Sequence, residues 1–472
     1  MIYQNAEKVS IWLGMENVGS SLALGLARDL NWSSKEQVTR MIQDPARAKQ
    51  FSALVILFRR QYWWRIWVIQ EVSCARTAMV YCGEESIPWA ELDNVADILK
   101  EQGEHLQMLY YKNLSYIRTL THGGPRGLQL SRYSPNASAP PLLELLLSHK
   151  SKKSTDSRDK VYALVGISDT RYSFGKIDYS LSRREVFTHT TRHIISSSQK
   201  LDVICVKQHD INERNMPSWV PDWTRPPAHS GHMVIGLHHR EPAFSAAGES
   251  LTQCSYLQEG YVLKANGFVV GLIKAVGSAF RKSGAPSDVL PSLHAFQDWW
   301  NIFVGFMGDS DSAQAIFARV ISCGSWNFDN DQTYQERLRA IFALSKSNVV
   351  RYSPDAESRE EMESVELAKV ETDENEKTQM ASILSASLTM NRRRLFITSN
   401  NNAGLAPWNA EPGDMICILL GCRSPVVLRR QGGHWPYHYV LIGEAYVEGM
   451  MDGEAMKALT DGSFVLEDFE IH

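Results

Sequence analysis

The chain has 472 residues, too many for one ordinary core, so two or three domains are expected. With 44% hydrophobic and 22% charged residues and a formal net charge of −4, it has a globular composition and no bulk charge that would draw nucleic acid or a membrane surface. Its seven cysteines are odd in number and never form a CxxC pair, which argues against a disulfide framework or zinc ribbon and predicts a reducing, cytoplasmic location.

The opening MIYQNAEKVSIWLG lacks the basic and apolar regions of a signal peptide. Tyr3 to Lys8 reads as the end of a helix, and Val9 to Leu13 as a buried strand closed by Gly14. Ser33 with Glu36 predicts a capping box for a helix running to about Gln43, where Asp44-Pro45 stops it. Phe51, Leu54, Val55 and Phe58 mark the next amphipathic helix. Trp63, Ile66, Trp67, Gln70 and Glu71 then fall at helical spacing, which predicts one face of a third helix with Trp67 buried between helix and sheet. The strand Thr77–Cys82 follows. The order β-α-α-α-β suggests part of an α/β sheet.

Residues 89–120 read as helical and 121–141 as a linker. Further helices are expected around 142–149, 157–166 and 183–198, with a strand at Val203–Val206. From Tyr261 the pattern becomes β-like, then helical from about 288 to 348. Asp355 to Glu376 carries ten acidic residues and reads as an exposed insert. After Arg394, short apolar runs between Gly and Pro turns predict a small closed β-barrel. The segments are therefore 1–90, 91–230, 255–350, 351–390 and 391–472, α+β overall.

GxGxxG, Walker, HExxH and GxSxG signatures are all missing. His229 and His232 could hold a metal with Cys254, but their Pro/Ser/Gly surroundings read as an ordinary loop, so no metal is expected. Cys82 ends a strand with no basic partner to activate it. Asp156, Arg158, Asp159 and Lys160 read as a capped helix start with local ion pairs. Ser218 to Trp223, SWVPDW, reads as a packing clasp around a Pro-fixed turn. The basic clusters 149–153 and Arg392-Arg393-Arg394 read as solvated faces. In Glu71 an apolar stripe ends in a carboxylate, which must be paired, kept protonated or used.

Several stretches together resemble the fungal heterokaryon-incompatibility (HET) domain and the region that follows it in such proteins. IYQNAEKVSIWLG resembles the family's helix and WLG strand, and WWRIWVIQEVSCA its R-x-W-x-x-Q-E element. STDSRDKVYALVGIS resembles its DxRDKVYALLG block, and IDYSLSRREVF with MPSWVPDW the segments beyond. RRLFITS, AGLAPWNAEPGD, SPVVLR and YVLIGEAYVEGMMDGEA resemble the C-terminal region common in these proteins. The YxALSYxWG-like and WIDAICINQ-like strands that usually open the domain are not matched. The resemblance therefore implies entry at about the domain's midpoint, leaving a TIR-like or flavodoxin-like α/β remnant. Gly271 stands where the family's similar segment suggests Asp.

The resemblance implies a signalling or interaction protein of fungal non-self recognition and programmed cell death. Its partners would be other proteins or further copies of itself, with no cofactor required. It also implies an alternative. HET domains are thought to resemble TIR domains, many of which cleave NAD with a helix glutamate, and Glu71 occupies the similar place. Glu71 would then be catalytic, stabilising the cationic ribose left as nicotinamide departs, with Trp67 and Gln70 lining the site for NAD as substrate. Against that, Glu71 could pair with Arg65 or Arg76 and tie helix to sheet. An inactive fragment is the third expectation.

Overall fold

The structure is a computed structural model that describes residues 6–17, 19–110, 113–131, 138–206, 216–224, 244–280, 289–326, 335–339, 341–342, 389–432 and 437–472. The described residues form two compact units, one up to Ile177 and one from Asp178 onward.

In the first unit β1 (Val9–Trp12) is followed by α1 (Ser20–Asn31), α2 (Lys35–Gln43), α3 (Ala48–Phe58) and the short α4 (Val68–Ser73). Next come β2 (Ala78–Cys82), β3 (Glu85–Pro88), α5 (Trp89–Glu101), α6 (Gly103–Tyr110), α7 (Leu114–His122), α8 (Leu142–Ser148) and α9 (Asp159–Val165). β1 pairs in parallel with β2, and β2 turns back antiparallel into β3. Gly83 makes that turn with φ +60, and a Cβ there would lie 2.9 Å from the Glu16 backbone nitrogen, so glycine is required. Among the described residues β1 has β2 as its one partner; Ile11 is buried and Trp12 half-exposed.

α1 was not anticipated, although Ala23, Leu24, Ala27 and Leu30 form a buried stripe at helical spacing. The capping box of α2 uses Ser34 and Gln37, one residue beyond the pair expected, and the helix ends before Asp44-Pro45 as expected. Phe51, Leu54, Val55 and Phe58 of α3 are all buried.

The second unit holds α10 (Arg183–Ser198), β4 (Cys254–Leu257), β5 (Val262–Val276), α11 (Val289–Met307) and α12 (Asp311–Ser322). It continues with β6 (Arg393–Thr398), β7 (Ala403–Pro407), β8 (Met415–Leu419), β9 (Val426–Gln431), β10 (His438–Glu444), β11 (Tyr446–Val447), α13 (Glu454–Thr460) and β12 (Glu467–Ile471). Pairing runs from β5 to β12, β10, β9, β8 and back to β5, so these strands close on themselves. β6, β7 and β11 extend the sheet from the far end of β5. Phe268, Val270, Ile416, Ile418, Val427 and Ile442 fill the interior. The ring thus joins a strand from 255–350 with strands from 391–472, segments separated in the sequence reading.

Residues 202–206 form a 3-10 turn, not the strand expected. A short buried apolar run carries no periodicity to tell the two apart, and Ile204 N–H turns back to Leu201 O at 3.0 Å. The clasp expected at SWVPDW forms. Trp219 and Trp223 are fully buried, and Trp219 Nε1 donates to Tyr261 O at 3.1 Å. Ser218 Oγ accepts from Leu441 N–H at 2.9 Å, and its own N–H donates to His472 O at 2.8 Å.

The basic clusters are not solvated faces. Lys150, Lys152 and Arg393 are buried. Arg393 Nη2 pairs with buried Glu444 Oε1 at 2.5 Å, and Arg394 donates to Gly277 O and Ala410 O at 2.8 and 2.9 Å. Lys152 and Arg393 are each met by an acceptor, as burial of a charge demands. The acidic insert and the His229/His232 pair lie outside the described residues. Among the described residues no helix is long and apolar enough to cross a membrane.

Candidate functional site

The third helix foreseen from Trp63 onward is interrupted. Residues 61–64 form a 3-10 turn, Arg65 is extended (φ −77, ψ 134), and α4 begins only at Val68. The cause is a competing partner. Ile66 N–H donates to Lys153 O at 2.9 Å and Lys153 N–H to Trp64 O at 2.5 Å, so these backbone groups pair across the chain.

Side chains extend this junction. Lys152 Nζ donates to Trp63 O at 2.6 Å, and Lys160 Nζ donates to Lys150 O at 3.0 Å and to Lys152 O. Trp67 Nε1 donates to Asp159 Oδ2 at 3.1 Å, and Gln70 Nε2 to Ala163 O at 2.9 Å. Segment 62–71 is therefore fastened along its length to segment 150–163. Arg158 grips Asp156 (Nη2 to Oδ2, 2.6 Å), the local ion pair expected there. Lys160, expected among local pairs, instead holds carbonyls in the interior. Its motif gave no sign of burial, because a charged residue on a capped helix start reads as exposed.

The three residues singled out therefore stand differently. Trp67 is half-buried and directed to Asp159 on α9, and of this stripe's two tryptophans the enclosed one is Trp63, whose Nε1 donates to Leu57 O at 2.9 Å. The Trp67 indole N–H and the Gln70 amide nitrogen are engaged within the protein. Glu71 is partly exposed; its Oε2 accepts from Tyr62 O–H at 3.1 Å. It makes no ion pair with Arg65 or Arg76 within 4 Å among the described residues, so the tie to the sheet through arginine does not form. The residue that sequence reasoning passed over is Lys152: burial pushes its ammonium down to about 7. Nothing in HKSKK marked one lysine as interior. Only its pairing partner, eighty-nine residues away, does so.

A helical unit on a small sheet, followed by a β-barrel unit, is the class of protein these elements define. Residues 1–71 match the family model described as heterokaryon incompatibility protein (HET), and residues 328–466 match the Het-6 beta-barrel domain. The chain is also similar to heterokaryon incompatibility protein 6, OR allele, of Neurospora crassa, with 23% identity over 532 positions covering 96% of this chain and 77% of that protein. No solved structure matches the chain. Together these matches support a fungal HET domain-containing protein. β5 and β12, which close the ring of strands, lie outside the matched barrel segment.

Proposed function

We propose that this chain works as a signalling or interaction module in fungal non-self recognition, acting through other proteins to trigger programmed cell death. The observation that carries the reading is the use made of the R-x-W-x-x-Q-E element. The Trp67 indole N–H and the Gln70 amide nitrogen fasten this element to α9, which suits a scaffold better than a substrate pocket. The match to the HET and Het-6 barrel families and the similarity to an incompatibility protein support the same reading. The test is induced expression in fungal hyphae, scored as uptake of a vital dye by dying compartments.

A second reading is favoured by one observation: Glu71 is partly exposed and bonded to a phenol, not locked in an ion pair. A carboxylate so held could stabilise the developing charge on an NAD ribose, in the manner of TIR-like NAD hydrolases. Release of nicotinamide from NAD, compared between the chain and Glu71→Gln, tests it.

A further inference from the structure

His438 on β10 and Glu470 on β12, with His472 just beyond it, converge on one face of the barrel. β10 and β12 run parallel with Tyr439 opposite Ile471, and both of those side chains are buried. Alternation along a strand therefore sends residue 438 on one strand and residues 470 and 472 on the other to the opposite, outer face. There each side chain offers one ligand atom, a ring nitrogen or a carboxylate oxygen, and the three atoms all lie within 4.8 Å of one another. The two imidazoles meet edge to face with centroids 4.5 Å apart.

His472 is held here by its backbone. His472 N–H donates to Tyr439 O at 2.9 Å, and His472 O accepts from Ser218 N–H at 2.8 Å, in the same clasp that anchors Leu441. His472 Nε2 is shielded from solvent and takes no hydrogen bond from the described residues, so the ring's coordinating capacity is not spent inside the protein.

We propose that His438, Glu470 and His472 form a binding site for a divalent transition-metal ion of the zinc type. Two imidazoles and one carboxylate are the donor set such an ion takes, and three protein ligands leave a coordination position open to water or a small anion. Tetrahedral zinc asks for ligand atoms about 3.3 Å apart, given its bonds of about 2.0–2.1 Å. Rotation of the exposed His438 ring can supply that contraction. The site is independent of the Trp67–Asp159 junction and of the signalling reading.

The test strips the full chain with a chelator and titrates Zn²⁺ alone against a chromogenic competitor, with Co²⁺ absorption as a second readout. One ion should bind per chain. His438→Ala, at an exposed position, and the isosteric Glu470→Gln should each weaken it about tenfold or more, as loss of a ligand does. Both variants should keep the parent's circular dichroism, and both should lose the Co²⁺ visible bands. A His229→Ala/His232→Ala double variant should bind as the parent does. Zn²⁺ affinity unchanged by His438→Ala and Glu470→Gln, or lost instead in the His229/His232 variant, would overturn the site.

Discussion

The Trp67 indole N–H donates to the Asp159 carboxylate at 3.1 Å and so joins two sequence motifs ninety-two residues apart. Each motif reads as a self-contained helix start. Together they form one structural element, in which carbonyl oxygens of Trp63, Lys150, Lys152 and Ala163 all receive side-chain donors.

That bond should appear as coupling between its partners. Trp67→Phe keeps an aromatic ring and removes the N–H; Asp159→Asn removes the charge. A double-mutant cycle on unfolding midpoints should give about 1–2 kcal/mol of coupling, the range of a hydrogen bond to a charged group that is only part-buried. Purely additive effects would mean the motifs are held together by other contacts.

Lys152 should write a pH dependence into stability. Its ammonium is held at about 7 in the folded protein, against about 10.4 when unfolded, so the unfolded chain binds more protons between these values. The cost of burying the charge is full below pH 7 and is relieved as pH rises toward 10. Relative to Lys152→Met, the parent should therefore gain stability over that window. Parallel curves for parent and variant from pH 6 to 10 would exclude a depressed lysine here.

In the second unit, Trp219→Ala should cost about 3–5 kcal/mol, because the fully buried indole also donates to Tyr261 O. Trp64→Ala, at an indole 39% exposed, should cost far less, about 1 kcal/mol. Chemical unfolding followed by circular dichroism distinguishes the two. Equal losses would contradict the clasp at SWVPDW.

On the scaffold reading, purified chain incubated with NAD should release nicotinamide no faster than a blank, and Glu71→Gln should match it. Release that depends on Glu71 and is lost in Glu71→Gln would favour the NAD-cleaving reading. Chromatography of the reaction mixture decides the point.

Much of the secondary structure was legible because periodicity and caps are local. The helix expected at 183–198 forms as α10, Asp44-Pro45 stops α2, and the β-like pattern from Tyr261 gives β5. The failures share one cause. Arg65 is extended because Lys153 competes for its neighbours' backbone groups, and Lys152, Lys160 and Arg393 are interior because carbonyls or a carboxylate from distant segments receive them. The candidate site was half legible for the same reason. Trp67, Gln70 and Glu71 were found from the motif, but what Trp67 and Gln70 bind lies on α9, and the face shared by β10 and β12 requires knowing that those strands are neighbours.

We propose above that this chain signals death through protein partners. Induced expression in hyphae paired with tester strains of different incompatibility genotype, scored by vital-dye uptake per compartment, tests it most directly. The account predicts death in particular pairings, retained in Glu71→Gln and lost in an Asp159→Ala variant that breaks the Trp67 tie. Viability equal to an empty vector in every pairing, with the chain present at normal levels, would contradict it.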